Sequence, residues 1–544
     1  MSDYPWNYGD ILEAVDAMVP AARPALVHGE RVISWGELRR RSNNLARALL
    51  SANGDRRGAV CGEKIAFYLR NGPEYSEGIA AAFKARLTHV NVNYRYVDHE
   101  LIYLLDNSDA TVVIYGAEFA AHVREIRPQL PKVAQWIEVD DGHPGLDDVL
   151  HYEELVSSGD GSPLSLERSP DDLLLLYTGG TTGMPKGVMW RHQDLWCATG
   201  AGGNPRLGLP PFPDLDTYLS NLAHEPPPVN LPLPPIMHGT GLLSAINAMT
   251  HGGTCVTLTS RSFDPEEALA AIHRHRITAT TIVGDAFARP MLEALDAHPG
   301  RHDISSLTAI TSSGVMWTKA VKAGLLRHNE NLLLADAFSS SEAIGLGVSI
   351  MTRDEEIEVA KFQLGPNCRV FSEKLEEVGT GESGMVGVSG HLPMGYYKDE
   401  EKSARTFPVI DGVRYSIPGD WVRVEEDGSL TLLGRGSNCI NTAGEKVYPE
   451  EVEEALKHHE SVADALVVGL PDEKWGQSVT AVISLKPGCA LDEADLKAFA
   501  RRKIAGYKLP KRILVKDDLE RAPNGKADYK LIRAYAAEQL AIEL

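Results

Sequence analysis

No pair of the six cysteines is spaced as Cys-x-x-Cys, and they scatter from Cys61 to Cys489 along 544 residues. That excludes a disulfide-framed scaffold and a zinc site built on thiolate pairs, and leaves reduced core or loop residues. Positive charge is short as well. Against 75 Asp and Glu stand 54 Lys and Arg, a formal net charge of −21 that argues against a nucleic-acid surface. Anionic small molecules remain open, since local loops can oppose the global field. No apolar run approaches the roughly 18 residues of a membrane span. Met1 to Gly9 is acidic and aromatic where a signal peptide would be basic and then apolar. The expectation is a cytoplasmic protein with no transmembrane segment and no nucleic-acid partner.

A chain of this length exceeds what one core organises, so at least two domains are expected. Short apolar or β-branched runs at Val112–Tyr115, Trp136–Val139, Leu173–Tyr177, Thr254–Leu258, Ile277–Val283 and Leu332–Leu334 alternate with helical patterns, which marks an α/β domain. Ser34-Trp-Gly-Glu37 is a capping box opening a helix whose apolar face includes Leu38, Leu45 and Leu49. Two proline-rich stretches, Pro205–Pro213 and Pro226–Pro235, read as extended loops outside helix and central sheet. His273 and His275 read as a solvated basic helix end, because no further ligand cluster is near in sequence. A boundary falls near Arg435–Ile440. Beyond it come a helix at Pro449–His458, strands at Ala463–Val468 and Val479–Leu485, and a helix at Glu493–Arg502, a small α+β pattern. The fold class expected is α/β: a large N-terminal domain of βα subdomains over 1–437, then a small α+β C-terminal domain over 438–544.

Leu173 to Gly187 reads LLLLYTGGTTGMPKG. The apolar run ending at Tyr177 is a buried strand by pattern and passes directly into Gly, Thr and one Lys. Glycines let backbone N–H groups turn toward an anion, Thr178, Thr181 and Thr182 offer hydroxyls, and Lys186 offers a compact positive charge. The common nucleotide P-loop needs Gly-Lys-Ser/Thr, whereas Lys186 lies between Pro185 and Gly187. The segment resembles instead the signature of the adenylate-forming superfamily, which holds acyl-CoA synthetases, firefly luciferase and the adenylation domains of peptide synthetases. The likeness begins at Ala81–Tyr94, and "GGTTGMPKGVMW" and "VGDAFARPML" resemble actinobacterial fatty-acid or steroid side-chain CoA ligases.

The chemistry this resemblance implies joins a carboxylate to the α-phosphate of ATP and expels pyrophosphate. Both reactants are anions, and two unit charges at about 4 Å repel by on the order of 4 kcal/mol at an effective dielectric near 20. Cations and aligned donors are therefore needed more than a nucleophile. By the match, Thr178, Gly179, Gly180, Thr181, Thr182 and Lys186 cradle the phosphates. Phe338-Ser-Ser-Ser-Glu342 is similar to the family's Tyr-Gly-x-Thr-Glu. Glu342 then ligates magnesium with Thr178, Ser339 and Ser341 border the nucleotide, and Phe338 stacks on adenine beside Asp336 and Ala337. Ser313, Gly314 and Val315 pack on its other side, and Ser313 and Gly314 reach an acyl pocket with Met237, His238, Gly239 and Asp285. Asp420 accepts from the ribose hydroxyls near Arg435. Lys526, on the closing loop, bridges carboxylate and α-phosphate. The resemblance also makes the small domain mobile, its rotation bringing Ala443, Gly444, Glu445 and Lys446 to the path of CoA. Lys526, Glu342, Thr182 and His238 form the catalytic set. Asn438 at the hinge and Asn441 after it depart from the family's charged residues.

The activity implied is that of an acyl-CoA ligase using ATP, Mg2+ and CoA. The apolar approach Leu231–Met237 and the segment Ile282–Met291 point to a fatty acid or a bulky steroid-like side-chain acid, with an aryl acid left open. Two alternatives stand beside it: an acyl-AMP ligase that loads a separate carrier protein, and a non-catalytic acyl-nucleotide binding protein, which the presence of Lys186, Glu342 and Lys526 opposes. The partners expected are a small carboxylic acid, ATP and CoA, and a homodimer is allowed for.

Overall fold

Every residue of the strands Ala110–Gly116 and Gln135–Val139 is buried, as in strands covered on both faces. They belong to an eight-stranded sheet in the order Gly395–Tyr396, Lys186–Arg191, Leu173–Thr178, Thr88–Asn91, Lys64–Tyr68, Ala110–Gly116, Gln135–Val139, Leu150–His151. Neighbours are parallel from Leu173–Thr178 onward, and the first two strands are antiparallel additions. Alternate side chains feed separate cores: Ile65, Phe67, Val112 and Ile114 one, Ala66, Tyr68, Val113 and Tyr115 the other.

The computed structural model describes all residues except 1–3, 53, 55, 97, 179–183, 205–208, 316, 354–360, 443–444, 473–475, 505, 523–524 and 543–544, together with the backbone alone of 435, 437, 441, 445, 446 and 476. The chain divides into two compact units, Met1–Val359 with Ser389–Ser416, and Ala360–Val388 with Ile417–Leu544.

In the first unit a second run of strands goes Arg31–Ser34, Pro24–His28, Thr254–Thr257, Val229–Pro232, Ala279–Ile282, Ala309–Ser313, Leu333–Phe338, Gly347–Met351. Helices Pro265–His275, Asp285–Ala297 and Lys319–His328 build one core with Leu231, Ile282, Ile310 and Leu334. Helices Trp35–Leu50, Pro73–Lys84 and Gly239–Thr250 share another core that draws on both sheets. Ser34 caps its helix as expected, its Oγ accepting from Glu37 N–H at 3.2 Å, with Leu38, Leu45 and Leu49 buried. One expectation is corrected. Pro226–Pro235 is not wholly loop, because Val229–Pro232 is a parallel strand in the interior of the sheet, paired with Thr254–Cys255 on one side and Ala279–Thr281 on the other. Proline is tolerated because Pro232 is the strand's last residue, beyond the Val229–Asn230 pairing with Thr254–Cys255. The stretch at 205–208 lies outside the described residues.

The second unit contains an antiparallel set, Lys361–Leu364, Leu430–Arg435, Asp420–Val424, Ser383–Ser389 and Cys368–Phe371. It also contains a sheet ordered Glu445–Val447, Ile440–Thr442, Gly476–Leu485, Val462–Asp472, with Arg512–Val515 parallel to Gly476–Leu485. Helices Pro449–Lys457 and Glu493–Arg501 cover one face of that sheet and Tyr529–Gln539 the other. None of the six cysteines is in a disulfide, and among the described residues no helix is long and apolar enough to cross a membrane.

Candidate active site

The strand that opens the Gly/Thr segment is tied to the rest of the unit by one buried amide. Asn91 Oδ1 accepts from Tyr177 N–H at 2.7 Å, and its Nδ2 donates to the carbonyls of Tyr177 at 2.8 Å and Met237 at 2.7 Å. An amide satisfied on both sides fixes two chain segments at once, and leaving it unmade in the interior would be costly. The end of the Leu173–Thr178 strand is thereby locked to the turn that delivers His238. Asn71 adds a second tie, accepting from Ile236 N–H at 2.7 Å. Across the hairpin Thr178 pairs with Lys186. A Cβ on Gly187 would lie 2.6 Å from the Tyr177 ring, so only glycine lets that ring lie flat on the hairpin. Gly179, Gly180, Thr181 and Thr182 lie outside the described residues.

The segment Gly395–Asp399 forms a strap along the edge of this hairpin, beside Lys186–Arg191. Gly395 and Tyr396 pair with Met189 and Val188, and Tyr397 N–H donates to the Gly187 carbonyl at 2.8 Å. From the strap, the Asp399 carboxylate meets the Lys186 ammonium, and the Tyr396 hydroxyl donates to Glu342 Oε1 at 2.7 Å. Asp399 also caps the helix Glu400–Thr406, its Oδ1 accepting from Lys402 N–H at 3.0 Å. Hydrogen bonds from Lys186 and then from the Lys402 amide hold its carboxyl below the ordinary carboxylate value. The Glu342 turn is anchored independently: Trp190 Nε1 donates to the Ser341 carbonyl at 2.9 Å and Ser416 Oγ to the Glu342 carbonyl at 2.6 Å. The Cβ position of Gly239 lies 3.9 Å from both Leu176 Cδ1 and Ser341 Oγ. Hairpin, Glu342 turn and His238 turn therefore meet in one region.

Adjacent strands supply the rest. Ser312 and Ser313 pair with Asp336 and Ala337, so Ser313 and Gly314 leave the sheet beside Phe338 and Ser339. Phe338 and Ala337 are buried, and the Ser339 hydroxyl accepts from Gly345 N–H at 3.3 Å. The Asp336 carboxylate is engaged by the buried Lys322 ammonium, which lies 5.4 Å over the Trp317 ring. Asp285 opens its helix with its carboxylate accepting from Thr318 N–H and Oγ1 at 3.0 and 2.9 Å and from Arg289 at 2.5 Å. Both acids thus hold protein groups.

In the second unit, Asp420 and Arg435 face each other across the antiparallel pair Asp420–Val424 and Leu430–Arg435. Lys526 is exposed on a turn closed by Ala522 N–H donating to the Lys526 carbonyl at 2.9 Å. Ala443 and Gly444, and the side chains of Arg435, Glu445 and Lys446, lie outside the described residues.

Asn91, Tyr396 and Asp399 were not singled out by sequence reasoning. None of the three carries a signal in the sequence, since the burial of Asn91 at the end of Thr88–Asn91 and the roles of Tyr396 and Asp399 arise only where the strands pair. The donor set fits a magnesium-bound nucleotide. Lys186 already holds a carboxylate oxyanion, the charge a phosphate oxygen would offer. Among the described residues no three His, Cys, Asp or Glu gather as a metal cage. Magnesium held by one or two carboxylates plus phosphate oxygens needs none.

Comparison with known proteins agrees. Residues 12–397 match the AMP-binding enzyme family and residues 451–526 match the AMP-binding enzyme C-terminal domain. The medium-chain acyl-CoA ligase Mig of Mycobacterium avium is 40% identical over 541 residues, 97% of each chain. The medium/long-chain-fatty-acid–CoA/3-oxocholest-4-en-26-oate–CoA ligase of Mycolicibacterium smegmatis is 38% identical over 549 residues, 99% of this chain and 98% of that one. Among solved structures, the anthranilate CoA ligase AuaEII in complex with anthranoyl-AMP matches with a TM-score of 0.83 over 99% of this chain and 98% of that one, at 22% identity, which speaks for the fold alone. With both its large and its C-terminal regions matched and curated relatives aligned along almost their whole length, the chain belongs to the AMP-binding enzyme family.

Proposed function

We propose that this chain is an ATP-dependent acyl-CoA ligase for an apolar carboxylic acid. A carboxylate oxygen attacks the α-phosphorus of ATP and the bond to the β-phosphate breaks, giving acyl-AMP and pyrophosphate. The CoA sulfur, its proton lost, then attacks the acyl carbon and expels AMP. The observation that carries this reading is the convergence of the Tyr177–Thr178 strand exit, the Ser341–Glu342 turn and the Met237–Gly239 turn within one unit. A charge-handling loop, a carboxylate and an apolar approach in one place are what joining an apolar acid to a polyphosphate requires.

Lys186 gives up Asp399 for phosphate oxygens and neutralises charge on the departing pyrophosphate. Thr178 to Thr182 offer donors to the same phosphates. Glu342 and Thr178 would hold Mg2+, which when bound stabilises the charge on the phosphate oxygens. Phe338 gives its face to adenine, with Asp336, Ala337, Ser339 and Ser341 around it and Gly314 and Val315 opposite. Asp420 accepts from the ribose, with Arg435 beside it. Met237, His238 and Gly239 wall the acyl group, with Asp285 and Ser313 behind. Lys526, carried by a mobile domain over 438–544, neutralises the meeting oxyanions, and residues 443–446 border the CoA path. The named relatives cover medium- and long-chain fatty acids and a steroid side-chain acid, and an acid of that class is the proposed substrate, in the cytoplasm.

A panel of carboxylic acids scored for pyrophosphate release and CoA consumption tests the proposal. Thioester should form with apolar acids. Acyl-AMP accumulating in the presence of CoA would indicate a carrier-loading ligase, and no pyrophosphate with any acid would indicate a binding protein.

A further inference from the structure

The turn that carries Lys526 is held in shape by its own unit. Gly525 N–H donates to the Ala522 carbonyl at 2.7 Å, closing the turn beside the Ala522–Lys526 contact. Arg521 braces it from the side. Its Nε and Nη2 donate to Oδ2 and Oδ1 of Asp464 at 2.6 and 2.9 Å, and its Nη1 reaches the Gly525 carbonyl at 3.3 Å. Asp464 is fixed in turn on the strand Val462–Asp472, where its Oδ1 accepts from Ala465 N–H at 2.8 Å and the Lys457 ammonium lies 3.7 Å away. Glu453 accepts from Val467 N–H at 2.9 Å and from the Tyr529 hydroxyl at 3.0 Å, joining the strand to the helix after the turn. Burial alone would raise the Asp464 carboxyl, and the Arg521 hydrogen bonds and Lys457 charge outweigh it, so the pair stays ionic.

We propose that Arg521 is a positioning residue for adenylation: by pinning the Gly525 carbonyl to the Asp464 carboxylate, it fixes where the turn presents the Lys526 ammonium. The inference rests on the role proposed for Lys526. A lysine stem has four rotatable carbons, so its charge arrives at a repeatable place only if the backbone beneath it is set. These Arg521 contacts are all internal to the unit. A lysine at 521 keeps the charge but not the planar fork, which alone can bridge both carboxylate oxygens and a carbonyl.

The test compares Arg521→Lys, Asp464→Asn and Lys526→Ala in pyrophosphate exchange and in thioester formation from pre-made acyl-AMP, with amide exchange at Gly525 followed by mass spectrometry. Arg521→Lys and Asp464→Asn should lose about 10- to 100-fold in kcat for adenylation, the scale of a misplacement near 1 Å. KM for acid, the thioester step and the melting temperature of Arg521→Lys should stay close to those of the unaltered chain, and the Gly525 amide should exchange faster. Unchanged adenylation, unchanged Gly525 exchange, or an equal fall in both half-reactions in a variant that melts normally would each overturn the proposal. If Asp464→Asn fails to fold, Arg521→Lys decides alone. Full adenylation by Lys526→Ala would instead remove the role of that lysine.

Discussion

Lys186 and Asp399, 213 residues apart in sequence, share an ion pair, so the cation assigned to the triphosphate is already matched by a carboxylate of the same unit. A phosphate oxygen and Asp399 compete for one ammonium. Asp399→Asn keeps the helix cap and deletes the competing charge. A partly exposed pair is worth about 0–1 kcal/mol, so affinity for Mg-ATP should rise, by up to about fivefold, as read by calorimetry. Because the Asp399 carboxyl is held low, its contribution to stability is complete above the unfolded Asp value of about 4 and lost as pH falls through the folded one.

Tyr396 orients Glu342 through a single hydroxyl. Tyr396→Phe keeps the buried ring and removes that donor, so stability should drop by about 1 kcal/mol. The magnesium concentration for half-maximal nucleotide binding should rise, measured by titration with ATP present. An unchanged magnesium midpoint would reduce the contact to packing.

Asn91 satisfies three backbone groups in the interior. Asn91→Ala orphans them at about 1–3 kcal/mol for each group left without a partner. A denaturant midpoint well below that of the unaltered chain is expected, together with loss of pyrophosphate exchange, because the strand exit and the His238 turn come apart.

His391 lies 3.1 Å from Asp194, and its imidazole is pushed up to about 9 by hydrogen bonds to Asp194 and then Cys197 against the opposing effect of burial. Since the folded value exceeds the unfolded one of about 6.5, its stabilisation is complete below about 6.5 and is lost as pH rises through the folded value. Denaturation midpoints should decline over that window, and His391→Gln should flatten the decline.

Lys526→Ala should cut adenylation by about 10²-fold or more, the scale of one preorganised electrostatic group, and spare thioester formation from supplied acyl-AMP. Separate assays of the two half-reactions check it.

Local pattern in the sequence was enough for the elements whose periodicity is unambiguous. The Ser34 capping box, the buried run Leu173–Tyr177 and the helix–strand order after Pro449 all appear where their residues demand. Family likeness extended this to the chemical class, because Lys186, Glu342 and Lys526 sit in contiguous motifs. Proline content misled at Val229–Pro232, since composition does not say which residues donate to a neighbour. Tertiary structure alone decided that Asp399 opposes Lys186, that Tyr396 holds Glu342, that Asn91 joins Tyr177 to Met237, and that Arg521 braces the turn of Lys526. Each is a contact between residues distant along the chain or a hydrogen bond set by backbone geometry. No spacing rule encodes such contacts, because their partners become neighbours only when strands pair and turns close.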